Sequence, residues 1–167
     1  MSHLMQQFVH INLQFVQMDA PRLDRLTALL EGLSPKVTVT SEPNGFSLHV
    51  IRTRSTTEHP ADNIYGINQD HMSLLVCPAL YSFENLLQAD QQCCMSFGVV
   101  FDGPMGPSFL AEQSEPISIV MKDADPSLVQ VMMLIANEMQ ASRCGQPFFM
   151  NRAGDILLVS LMRHLTS

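Results

Sequence analysis

Between residues 20 and 32 the leucines recur at helical spacing. Leu23, Leu26, Leu29 and Leu30 fall on one face, and Pro21 suits a first helical turn. The pattern predicts a short amphipathic helix closed by Gly32 in a left-handed conformation. The period then shortens from 3.6 to 2. Val37-Thr-Val-Thr40 and Phe46-Ser-Leu-His-Val-Ile51 read as strands, and Asn44-Gly45 between them supplies the positive φ of a tight turn, so a β-hairpin is expected. Met72–Val76 before Pro78, Met95–Phe101 before Asp102-Gly-Pro, and Ile117–Val120 are further strand candidates. Short strands divided by Pro, Gly, Asn and Asp point to a sandwich or barrel.

From Asp125 onward the pattern is helical again. Asp125 caps, Pro126 sits in the first turn, and Leu128, Val131, Met132, Ile135 and Met139 form one stripe. Residues 142–147, with Gly145, break that helix, and a second is expected over 151–165. Its apolar residues Ile156, Leu157, Leu158, Val159, Leu161, Met162 and Leu165 cover more than one face. A helix apolar on two faces either sits deep in a core or meets a second surface, and in a chain this small the second surface is expected. Along the first 17 residues Phe8, Ile11, Leu13 and Phe15 partly alternate, as in a strand. Met18-Asp19-Ala20 equally suits a translation start, which would leave that stretch outside the native chain.

Composition narrows the function classes. The 167 residues are 46% hydrophobic and 15% charged, too apolar for a disordered chain. Nine Lys and Arg against 16 Asp and Glu give a formal charge of −7, which argues against holding DNA directly. No apolar run reaches the ~18–20 residues of a membrane span, and the first 17 residues lack the basic start and cleavage site of a secretory signal. A cytoplasmic location is therefore expected. Cys77, Cys93, Cys94 and Cys144 contain no CxxC spacing, and His49, His59 and His71 no HxH, so neither a metal nor another cofactor is expected. No Ser/His/Asp order, phosphate-cradling glycine loop or carboxylate pair marks catalysis. Glu58, His59 and Pro60 fall in a polar stretch, 52–69, that reads as a loop.

The order of these segments resembles the amino-terminal cupin-type sensor domain of AraC-type transcription regulators, over about residues 19–165. Pro21-Arg-Leu-Asp-Arg-Leu-Thr-Ala-Leu-Leu30 is similar to the family's opening helix. Phe46–Ile51 resembles a first barrel strand, Ser73–Pro78 a strand ended by proline, and Phe97–Pro104 a late strand with its turn. The most specific likeness is Arg152-Ala-Gly-Asp-Ile-Leu-Leu-Val-Ser-Leu-Met-Arg-His-Leu165 to the closing helix. In the family a histidine commonly follows the proline, where Phe83 stands here, and some relatives sense oxidants through a cysteine before the late glycine, where Phe97 stands here.

The resemblance implies a mainly β fold with helices: a cupin-like β-barrel followed by an antiparallel α-helical pair. It implies an extension over 1–18, an effector-binding barrel over 19–122 and a helical dimerisation hairpin over 123–167. It implies a homodimer that senses a small organic effector and is not an enzyme. Its helix-turn-helix motifs lie in a carboxy-terminal domain that this chain lacks, so contact with DNA is expected only through that domain. A stand-alone cupin enzyme, an isomerase or dioxygenase, is the alternative. Expected ligand-lining residues are Phe46, His49, Ile51, Tyr65, Phe97 and Phe101, with Leu48 and Arg52 nearby. The expected dimer seam is Leu157, Leu161, Met162 and Leu165. Cys93 and Cys94 are redox candidates, with pairing to Cys77 or Cys144 open.

Overall fold

The computed structural model describes residues 22–54 and 69–167. The amino-terminal extension and the Glu58, His59 and Tyr65 positions lie outside the described residues. In chain order the elements are α1 (Arg22–Leu33), β1 (Pro35–Val39), β2 (Ser47–Thr53), β3 (Met72–Cys77), α2 (Phe83–Leu86), β4 (Gln91–Phe101), α3 (Gly106–Glu112), β5 (Ile117–Val120), α4 (Pro126–Met139) and α5 (Gln146–Thr166). The five strands form one antiparallel sheet in the order β1-β4-β2-β3-β5. More described residues lie in helices than in strands, so the class is mixed α/β rather than mainly β. Among the described residues the sheet is open, with β1 and β5 at its edges, and no closed barrel is seen.

The expected hairpin between residues 37–40 and 46–51 does not form. Gly45 does take a positive φ of 92°, but β4 pairs on one side with β1 and on the other with β2, separating them. Gly32 does not end α1 in a left-handed conformation either. Ser34 does, at φ 42°, donating its N–H to the Leu30 carbonyl at 2.8 Å. The backbone of Gly32 is instead pressed against Met105, whose N–H bonds to the Gly32 carbonyl at 3.0 Å, and a side chain there would collide with the methionine.

Period-2 alternation divides the sheet into two unlike faces. Leu48, Val50, Leu74, Val76, Phe97 and Val99 join Leu128, Met132, Ile135, Leu157 and Leu161 in one hydrophobic core. The residues between them, Ser47, His49, Ile51, Ser73, Leu75, Cys77 and Ser96, point to the opposite face and are also buried. A sheet covered on both sides needs little outward polarity. One bulge interrupts the ladder: Val50 faces Met95 and Ile51 faces Cys93, leaving Cys94 as the extra residue.

The carboxy-terminal helices complete the first face. Asp125 caps α4 by accepting from the Ser127 N–H at 2.9 Å and its hydroxyl at 2.6 Å, which holds the carboxyl below its ordinary pKa. The Asp125 N–H donates to His164 Nδ1 at 3.1 Å, tying the start of α4 to the end of α5. Gln146 Nε2 donates to the Glu138 carbonyl at 2.7 Å, tying the end of α4 to the start of α5. Residues 142–147 do break the helices, but α5 begins within them, because Gly145 takes φ 78° and Pro147 fits a first turn. Gly154 then lets α5 lie directly on the sheet: a Cβ there would meet Phe97 and Val37 at 2.7 and 2.8 Å. Asn151 Oδ1 accepts the edge-strand Val39 N–H at 2.9 Å. Residues 123–167 thus share one core with the sheet. No described helix is long and apolar enough to cross a membrane.

Candidate functional site

Polar side chains gather on the face of the sheet turned away from α4 and α5. Ser47 and His49 sit two apart on β2 and therefore side by side. Ser96 and Cys93 reach the same place from β4, the latter because of the bulge. His49 is fully buried and bonded at both ring nitrogens: Nε2 lies 2.8 Å from Ser47 Oγ, and Nδ1 lies 2.8 Å from Ser96 Oγ. One ring nitrogen donates and the other accepts, and a hydroxyl serves either role. Cys93 Sγ is 3.3 Å from Ser96 Oγ and 3.9 Å from His49 Nδ1. At the other end, Cys77 Sγ bonds to the Tyr81 carbonyl at 3.4 Å. The Phe83 ring of α2 stacks on the His49 imidazole, with centroids 4.1 Å apart and planes inclined by 18°.

Burial sets the protonation of this cluster. Loss of solvent lowers the His49 pKa from its ordinary 6.5 to about 4, so the ring is neutral at physiological pH. The same loss of water raises the thiols of Cys77, Cys93 and Cys94, only partly offset at Cys93 by the bonds from Ser96 and to Met95. A raised thiol carries less thiolate, the reverse of what primes a cysteine for oxidant attack. The pairing of Cys93 with Cys77 is ruled out by register. They stand on β4 and β3 with β2 between, ~10 Å apart across the sheet alone, beyond disulfide reach. Cys144 is exposed on the turn before α5.

A groove of about 470 Å³ opens beside the cluster, between the 41–45 turn and residues 79–84. Ser47 and Phe83 belong to both, and Glu42, Tyr81 and Glu84 line the groove further out. A second cleft of about 450 Å³ lies at the β1 edge, where Met95, Met139 and Met150 surround Gln146 and Asn151.

Two of the six expected ligand-lining residues, His49 and Ile51, lie on this polar face. Phe46, Phe97 and Phe101 do not. They are buried in the hydrophobic core, where Phe46 and Phe101 pack edge to face at 5.5 Å and both meet Phe109, and they line neither the groove nor the cleft. Tyr65 lies outside the described residues. Leu48 joins the core as well.

The residues expected at a dimer seam likewise pack into the core of the single chain. Leu157, Leu161 and Met162 are at most 2% exposed within the single chain, and Leu165 packs partly against the same core, so these side chains hold α5 to the sheet. The outward residues of α5 are Phe148 at 73% and Ile156 at 51% exposure, with Arg152 between them over the Phe148 ring. Sequence reading passed over Ser47 and Ser96. Their signal was the presence of serine within strands whose remaining residues are nearly all apolar. Phe83 was noted only as a departure from the family pattern.

Among the described residues no group of three or more His, Cys, Asp or Glu is placed to hold a metal ion. A family model named Cupin matches residues 91–167, which run from β4 to the end of α5. The match supports a cupin domain. No curated protein and no solved structure matches the chain.

Proposed function

We propose that the chain is the effector-sensing and dimerisation module of an AraC-type transcription regulator. On this reading it is a cytoplasmic homodimer without catalytic activity, and it reaches DNA only through a separate helix-turn-helix domain. The observation that carries the reading is the division of α5. Ala153, Leu157 and Leu161 pack inward, while Phe148 and Ile156 stand exposed on the opposite side, spaced to meet a second helix. The cupin match supports the same assignment, because it covers α5 together with the strand that α5 crosses.

The effector site is the groove beside His49, lined by Glu42, Tyr81, Phe83 and Glu84 and floored by Ser47. Its size suits a small organic molecule. Coupling to the helices has a short physical route. Ser96 bonds to His49, and the next residue, Phe97, presses on Gly154 of α5. A shift of β4 on the polar face is therefore transmitted to α5 at van der Waals contact. An effector acts through this route only if it binds one arrangement of β4 better than the other.

Sedimentation velocity tests the dimer. The unsubstituted chain is expected to associate, and Ile156→Glu to weaken association at least tenfold while keeping the melting temperature. A chain that stays monomeric at all concentrations, or one whose association is indifferent to Ile156→Glu, would contradict the reading.

A further inference from the structure

His49 and Cys93 are 44 positions apart in sequence, and register alone brings them together. Their atoms are placed as two ligands would be. Metal–sulfur and metal–imidazole bonds of ~2.3 and ~2.0 Å span ~4.3 Å when the ligand–metal–ligand angle is straight and ~3.5 Å when it is tetrahedral. The 3.9 Å between Cys93 Sγ and His49 Nδ1 falls between these limits. We propose that Cys93 and His49 form a two-ligand site for a soft monovalent d10 cation, Cu(I) in the cell.

Three further features fit that ion. With Nε2–H donating to Ser47 Oγ, Nδ1 is the accepting nitrogen, its lone pair taken by the Ser96 hydroxyl at 2.8 Å until a metal displaces it, and Ser47 orients the ring as an outer partner does in metal sites. Thiolate is a soft ligand that favours Cu(I), and imidazole also suits copper. At 3.9 Å the two ligands subtend ~130°, and ~0.4 Å of further separation opens them to the straight arrangement in which two ligands satisfy a monovalent ion, whereas zinc requires four in a structural site; among the described residues no third His, Cys, Asp or Glu completes the set. The Phe83 ring covers the imidazole on one side, while partly exposed Cys93 gives the entry path.

The step is a simple exchange. The Cys93 S–H bond breaks, its proton leaves to solvent, the metal–sulfur bond forms, and no electron changes hands. Ser96 gives up its bond to Nδ1 and keeps Cys93 as a neighbour. This site does not rest on the regulator reading, since it needs only the two side chains and their spacing.

Silver ion is the probe, because it has the same charge and ligand preference and is stable in air. A fully reduced chain carrying Cys94→Ser and Cys144→Ser is titrated with Ag(I) while the ring ¹⁵N signals of His49 are followed by NMR. One equivalent is expected to bind and to shift the Nδ1 signal, and adding Cys93→Ser is expected to weaken binding at least 100-fold. The same titration of the unsubstituted chain reads the ring directly, so the outcome does not depend on a variant folding. Saturation that leaves the His49 ring unmoved, or undiminished affinity without Cys93, would overturn the site.

Discussion

The two faces of the sheet are equally hidden from solvent and differ in what they hide. On the α4–α5 side every strand residue in the core is apolar. Phe97 and Leu157 are fully buried there, and Gly154 is the only width that lets helix and strand meet. On the other side the buried residues include a histidine, three serines and a cysteine. Burying hydroxyls and an imidazole costs stability unless each is paired, whereas an apolar face pays no such penalty. The histidine meets that condition at both nitrogens, through residues on β2 and β4. The first face is what a fold needs to stand. The second is a face kept polar at a cost, and the groove that opens beside it meets polar side chains, whereas the cleft on the α4–α5 side is walled by Met95, Met139 and Met150.

The contrast can be broken most forcefully from the apolar side. Phe97→Ala removes a fully buried ring beneath Gly154 and is expected to cost ~3–5 kcal/mol in urea denaturation. A loss below 1 kcal/mol would mean that α5 is not seated there.

A smaller effect comes from pH. The unfolded chain protonates His49 below its ordinary 6.5, the folded chain only below about 4. Its stabilisation is therefore complete above pH 6.5 and is lost as pH falls toward 4, by up to about 3 kcal/mol. Urea midpoints taken between pH 7 and pH 5 read the upper part of this window, before most carboxylates titrate.

The smallest expected effect is that of Ser96→Ala, which leaves Nδ1 with only the distant Cys93 thiol and should cost ~1–2 kcal/mol. The same substitution should leave sedimentation unchanged, since Ser96 lies on β4 and away from the exposed residues of α5.

Much of this architecture was legible in local spacing. Met72–Val76, Ile117–Val120 and the capped helix from Asp125 form essentially where periodicity and turn residues place them. What failed was pairing. The junction of β1 with β4 rather than with β2 joins residues far apart in the chain, and no local pattern encodes it. The site failed for a related reason. Alternation shows that Leu48 and His49 part company, but not which face the helices cover, so Phe46, Phe97 and Phe101 were assigned to a cavity and belong to the core. The meeting of His49 with Cys93 depends on the bulge at Cys94, which has no sequence mark of its own.

The protonation of the His49 ring tests most directly whether the second face is a preorganised polar site. Two-bond ¹H–¹⁵N correlation spectra of the ¹⁵N-labelled chain, recorded from pH 8 to pH 4, report each ring nitrogen separately. A single neutral tautomer that persists to about pH 4 is expected. Titration of the ring with a midpoint near 6.5 would contradict it.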